Sequence, residues 1–435
     1  MKLKTKSSLL IGILTLGTFL GFFVLTVGIV KAGEIITVSP SGGDDTAAIQ
    51  EAFDTAGSGD TVQLTSGQFY TNAIFVQNFN GKFKGAGKDL TKIDVLRGKF
   101  PEGEGVVGPY GNHLFTFEGG DVCISDLGFE ITPEMPAEES YDGTFDLFTI
   151  LIRGEIDSRI ERVKFTGHEG AQSNYPDEHP LSEKYYNVRL GVEYGGATNG
   201  RHTITKCEFE SLWLGITAWM LFNCEMKIKS NSIKGGAIGI INAVSDDSKF
   251  EISRNDIETT YWGGIWAIQD VPVTSASRWL ITHNTIKVLS DYSDGIFLAD
   301  FSSFKSLEAV VTHNKIILDD VNFGGIWTSF LQDAFICNNI IYGTGDYGIV
   351  CAVAYNHLIL GNNVQNVDAS WAPLVLLFAS ECIVVGGSTK TNVLDIGGTN
   401  NIIVGMNNMG DTSLGQEIHD AMEQKRELVQ SFPRF

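Results

Sequence analysis

Glu193 and Arg189 stand four residues apart in a segment of alternating apolar residues, so both project from the same side of one strand. A guanidinium beside a carboxylate can neutralise an acidic group while the carboxylate gives or takes a proton, and it can equally be a surface ion pair. Arg153 follows the aliphatic run Phe148 to Ile152 and is expected one coil below Arg189 and Glu193. Asp270 and Asp300 close two later segments that also carry aromatics. On adjacent layers they would form a close carboxylate pair, the geometry of retaining glycoside hydrolysis, which needs a separation of about 5 Å. Trp266, Phe297 and Trp327 recur at matching places, with Trp219 nearby. A flat strip of such rings suits the apolar faces of sugars, unless a loop or neighbouring subunit covers it. His168 and His179 lie in a segment with Tyr175, Asp177 and Glu178, and a second acidic segment holds Glu134, Glu138, Glu139, Asp142 and Asp146. Acids with histidines could bind a hard or borderline cation such as Ca2+ or supply a general acid and base, but no spacing is diagnostic and the metal stays open.

These residues need a scaffold, and an internal repeat supplies one. The phrase apolar, two residues, Asn, one residue, apolar places Asn231, Asn255, Asn284, Asn314, Asn339 and Asn362 at intervals of 24, 29, 30, 25 and 23 residues. Upstream the same phrase has Cys207, Val163 and Leu127 in the Asn slot. A second phrase, Gly then an aliphatic residue, follows at Gly215-Ile216, Gly239-Ile240, Gly264-Ile265, Gly295-Ile296, Gly325-Ile326 and Gly348-Ile349. Short β-rich segments at this period predict an all-β parallel solenoid of about 11 to 12 coils. Its Asn corners would form an amide ladder and take the left-handed turn themselves. The residue after each Gly-Ile pair points outward, giving the column Glu193, Thr217, Ile241, Trp266, Phe297, Trp327 and Val350. The intervals of 36 and 44 residues from Leu127 to Val163 to Cys207 mark two insertions that hold the acidic and His-bearing segments.

Asp44-Asp45-Thr46 before Ala47, Ala48, Ile49, Ala52 and Phe53 predicts an N-capped helix closing the first coil. Residues 33–410 form the solenoid, and 411–435, with Ile418, Met422 and Leu428 among charges, predict a helical cap or tail. Lys2, Lys4 and Lys6 precede an uncharged run to Val30, so residues 1–32 read as a signal peptide or membrane anchor, and the protein as secreted or on the cell surface. Without that segment, which has four lysines and no acid, the net charge of −21 becomes −25. This repels nucleic acid and leaves the membrane reachable only through the N-terminal segment. The six cysteines are scattered and read mostly as buried thiols.

The stretch Gly43-Asp44-Asp45-Thr46-Ala47-Ala48-Ile49-Gln50, with Gly59-Asp60-Thr61-Val62-Gln63-Leu64, Gly67-Gln68-Phe69-Tyr70 and Gly85-Ala86-Gly87 before Thr91-Lys92-Ile93, resembles the entry module of the pectate-lyase-like, right-handed parallel β-helix superfamily. The resemblance implies right-handed coils with three sheets and a polysaccharide partner that is cleaved, hydrolysed, epimerised or simply bound. Catalytic signatures of the polygalacturonase-like members are not matched. Ser293-Asp294-Gly295 is a partial counterpart of Asn-Thr-Asp, Asp319-Asp320 is off the cleft strand, and Gly167-His168-Glu169 adjoins Arg162-Val163-Lys164 in the wrong order. Two expectations follow: an exported polysaccharide-binding protein acting as a lyase or glycoside hydrolase, or a noncatalytic adhesion or structural protein of the cell surface.

Overall fold

The computed structural model describes residues 33–96, 113–130, 147–167, 189–212, 214–289, 294–302, 307–365, 372–387, 392–404 and 407–409. Among the described residues the strand pairings between successive coils are parallel, and before the Asn corner they keep the register that the repeat requires: Ile204 faces Ile228, which faces Ile252, then Ile281, Val311, Ile336 and Ile359. Each coil crosses one long outer sheet, turns, runs a second short strand, passes the Asn corner and enters a third. Val192, Ile216, Ile240, Ile265, Ile296, Ile326 and Ile349 form a buried inward column along the first of these sheets. Phenylalanines continue the interior toward the N-terminal end, where Phe129, Phe165 and Phe209 stack at centroid distances of 5.4 and 4.8 Å.

The amide ladder is present. Each Asn Nδ2 from Asn231 to Asn339 donates to the Oδ1 of the next Asn at 3.0 Å. The same Oδ1 also accepts the backbone N–H of the Asn before it. One expectation is corrected. The left-handed residue is the one before each Asn, namely Ser230, Arg254, His283, His313, Asn338 and Gly361, because the Asn must turn inward to reach its neighbours. His283 and His313 consequently stack outside the corner, 5.0 Å apart and nearly parallel.

The glycine of the Gly-Ile phrase is a steric requirement. A Cβ at Gly264 would lie 2.5 Å from Ile286 Cγ2 and 2.6 Å from the Gly295 carbonyl oxygen. The N-terminal helix spans Thr46–Thr55 and buries Ile49, Ala52 and Phe53. Asp45 precedes it but does not cap it with its side chain. Its carboxylate instead accepts the backbone N–H groups of Ser41 and Tyr70, tying the entry strand to the first coil. All six cysteines are free thiols. Residues 1–32 and 411–435, and with them the expected signal segment and C-terminal helix, lie outside the described residues. Among the described residues, no helix is long and apolar enough to cross a membrane.

Candidate functional site

The outward column has the register read from the Gly-Ile phrases. Glu193 pairs with Thr217, followed by Ile241, Trp266, Phe297, Trp327 and Val350. It extends toward the N-terminal end through Leu151, Thr116 and Phe75. A second outward row, two residues on, contains Gln77, Glu118 and Arg153. The outer face therefore carries a polar row in the early coils, beside Phe75 and Leu151, and is mostly apolar in the later ones.

The aromatic strip is not open. Trp266, Phe297 and Trp327 are 2%, 1% and 1% exposed, and they form an apolar cluster outside the solenoid core with Ile241, Ile268 and Val350. Trp262 stacks on Trp266 at 6.2 Å, and Tyr347 meets Trp327 edge-on at 5.3 Å. Leaving such rings bare would forfeit roughly 1.5 to 3 kcal/mol each, so the chain supplies its own cover. Within this cluster the Tyr347 hydroxyl donates to the buried Asp294 carboxylate at 2.6 Å. Burial holds the Tyr347 hydroxyl well above the ordinary tyrosine range. Trp219 remains half-buried at the boundary of the polar end, paired with Gly195 on the neighbouring strand.

Asp270 and Asp300 do not form the expected pair. Asp300 lies opposite Gln269, is fully buried, and accepts the Ser302 N–H at 3.0 Å and the Ser302 hydroxyl at 2.6 Å. Asp270 is exposed one residue beyond. Its strand has ended, so nothing holds it over its neighbour.

Glu193 acquires a partner that the repeat did not reveal. His113 Nε2 lies 3.1 Å from Glu193 Oε2, with the two side chains 6% and 14% exposed. His113 opens the strand His113–Ser125, and Glu193 sits on Arg189–Thr198, with Leu147–Glu161 between them. In the adjoining row, Arg153 Nε lies 3.5 Å from Glu118 Oε1, and Gln77 Nε2 donates to Glu118 Oε2 at 3.1 Å. A nearly buried imidazole-carboxylate pair next to a guanidinium can hold or move a proton where an anionic ligand is neutralised. Arg189 lies on the same strand as Glu193, pairing with Leu147. The insertions, including His168 and His179, lie outside the described residues, but the chain connects them directly to the strands that carry Arg153 and Glu193. Among the described residues, no group of three or more His, Cys, Asp or Glu is placed to hold a metal ion.

Only the strand of His113, and not its contact with Glu193, had a signal in the sequence. Continuing the outward column one coil below Leu151 reaches Thr116, and His113 opens that strand, but Leu114 occupies the slot that glycine fills elsewhere.

A family model described as the right-handed beta helix region matches residues 182–328. No curated protein matches the chain by sequence. Among solved structures, a double mutant of the periplasmic alginate epimerase AlgG is 14% identical, with a TM-score of 0.53 over 81% of this chain and 84% of that one. The Azotobacter vinelandii mannuronan C-5 epimerase AlgE6 A-module is 13% identical, with a TM-score of 0.45 over 84% and 91%. The Streptococcus pneumoniae surface protein and adhesin PfbA is 10% identical, with a TM-score of 0.42 over 86% and 99%. At these identities the likeness is one of fold.

Proposed function

We propose, from the premise that the chain has the right-handed parallel β-helix fold, that it is an exported protein that binds an extended acidic glycan on the polar end of its outer sheet and transfers a proton at one sugar residue. The observation that carries this reading is the His113–Glu193 pair, nearly buried on a face that is otherwise either charged or sealed by apolar side chains. Glu193 is the proton acceptor, with His113 orienting its carboxylate and relaying the proton. Arg153 answers the sugar carboxylate, whose neutralisation acidifies the carbon next to it. Trp219, half-buried beside Gly195, offers a ring face for stacking. Loss of that proton leads either to β-elimination, in which the C–O bond to the next sugar breaks and the departing oxygen takes up a proton, or, if a separate donor protonates the opposite face, to inversion at that carbon. Export is supported by the basic start and apolar run of residues 1–32.

A second reading, a noncatalytic adhesion protein, is favoured by the sealing of Trp266, Phe297 and Trp327 and by the separation of Asp270 from Asp300. The two are separated by incubating purified protein with acidic and neutral polysaccharides, with and without Ca2+. The measurements are ultraviolet absorbance of unsaturated ends, new reducing ends, and sugar configuration by NMR. The catalytic reading expects turnover on an acidic polymer that falls at least about 100-fold in Glu193→Gln, the usual scale for a lost general base. Turnover that survives this substitution removes Glu193 from the mechanism, and silence in all three measurements from folded protein leaves adhesion.

A further inference from the structure

A groove of about 580 Å3 lies between the C-terminal end of the helix Thr46–Thr55 and the strand Ile74–Lys84. Its volume falls within the roughly 300–1,000 Å3 of small-ligand sites. Gln50 is fixed at its wall like a short strand: its Oε1 accepts the Phe75 N–H at 3.0 Å, and its Nε2 donates to the Phe75 carbonyl oxygen at 2.9 Å. The same Nε2 donates to Asp54 at 2.9 Å. Phe75 is half-buried, and Gln77, Asn78 and Asn80 are exposed along the opposite wall. Amide side chains present a donor beside an acceptor, matching the neighbouring hydroxyls of a sugar, and a phenyl ring matches its C–H face. Among the described lining residues none is basic, and Asp54 is the one ionisable group. The helix also ends here, so its carbonyl end adds negative potential.

We infer that this groove is a second carbohydrate site, specific for an uncharged, hydroxyl-rich sugar residue. Asp54 and the helix end repel the carboxylate that Arg153 would attract, so the two sites differ in the charge they accept. Phe75 shares the outward column of Glu193, three strand steps away through Thr116 and Leu151, or about 14 Å at the spacing of neighbouring strands. Gln77 reaches from the groove to Glu118 and so joins its wall to the Arg153 row. A single glycan lying along the column would meet the neutral site first and the charged site next. That continuity rests on the glycan reading proposed above, whereas binding in the groove does not require chemistry at Glu193.

The test is calorimetric titration of the purified full-length protein with neutral β-linked oligosaccharides of glucose, mannose and xylose, and with an oligogalacturonate as the acidic probe. At least one neutral probe binds, and Phe75→Ala weakens it at least tenfold. Asn80→Leu, at an exposed position whose Nδ2 donates to the Asn78 carbonyl oxygen at 3.0 Å, weakens it as well in protein shown to be folded. Asp54→Asn admits the acidic probe to the groove, and Arg278→Ala, at an exposed ion pair on a distant coil, leaves neutral binding unchanged. Absence of neutral binding by folded protein overturns the inference, as does neutral binding indifferent to both Phe75→Ala and Asn80→Leu. Neutral binding without turnover on any polymer removes the reaction at Glu193 and keeps the groove. Turnover without neutral binding does the reverse.

Discussion

Asn284 shows how much one corner side chain does. Its Nδ2 donates to Asn314 Oδ1 and to the Ile252 carbonyl oxygen, while its Oδ1 accepts two donors of Asn255. Asn284→Ala strands buried donors and acceptors in two coils and is expected to cost on the order of 3 kcal/mol in denaturant unfolding. Arg278→Ala, at an exposed ion pair with Glu308, should change stability by less than about 1 kcal/mol. An equal effect of the two would show that the ladder adds nothing beyond a surface contact. The Asn phrase was legible in the sequence because a shape-demanding side chain recurs wherever the same pair of hydrogen bonds is made. The left-handed slot before it was not, since Ser230, Arg254, His283 and Asn338 share that backbone state without sharing a side-chain type. His113 was hidden for a related reason: its contact with Glu193 spans two coils, and no local pattern records it.

At the scale of strands, the Gly-Ile phrase sets both register and thickness. Gly264→Ala pushes a methyl group against Ile286 and the Gly295 carbonyl, so the sheets must part locally. An overpacking loss of about 1–3 kcal/mol is expected, read as a shifted urea midpoint with little change in slope. An unchanged midpoint would show that the coils can slide to make room. Register was readable because alternation fixes which side each residue faces, and Glu193 through Val350 follow it. Alternation separates inside from outside but does not tell outside from solvent. Trp266 and Trp327 point outward and are still buried, because Trp262 and Tyr347 come over them from other positions. Whether an outward strip is a platform or a sealed cluster depends on such contacts, which strand periodicity does not encode.

The molecule as a whole has a pH-dependent weakness inside its core. His202 and His357 are buried, and desolvation lowers each to about 4 from an ordinary value of 6.5. His202 Nδ1 lies 3.0 Å from the Ser158 hydroxyl, and His357 Nδ1 lies 3.2 Å from the Tyr355 carbonyl. Because the folded values lie below the unfolded ones, the unfolded chain binds more protons between about pH 6.5 and 4. These two groups therefore take stability away as pH falls through that window and have no such effect above it, by up to about 3 kcal/mol each. Unfolding midpoints measured from pH 7 to 4 should fall less steeply in His202→Gln and His357→Gln. Parallel pH profiles for wild type and both variants would assign the acid sensitivity to other groups. Because each coil hands the same register to the next, a gene duplication or deletion of one repeat could be absorbed by its neighbours almost unnoticed. Placed between the strands of Phe75 and His113, such a duplication would move Phe75 and Glu193 apart by one strand spacing, about 4.8 Å at a time, and leave the His113–Glu193 pair intact. Inheritance would then adjust the length of glycan measured between them in whole steps, like notches on a ruler, while each end keeps its own chemistry.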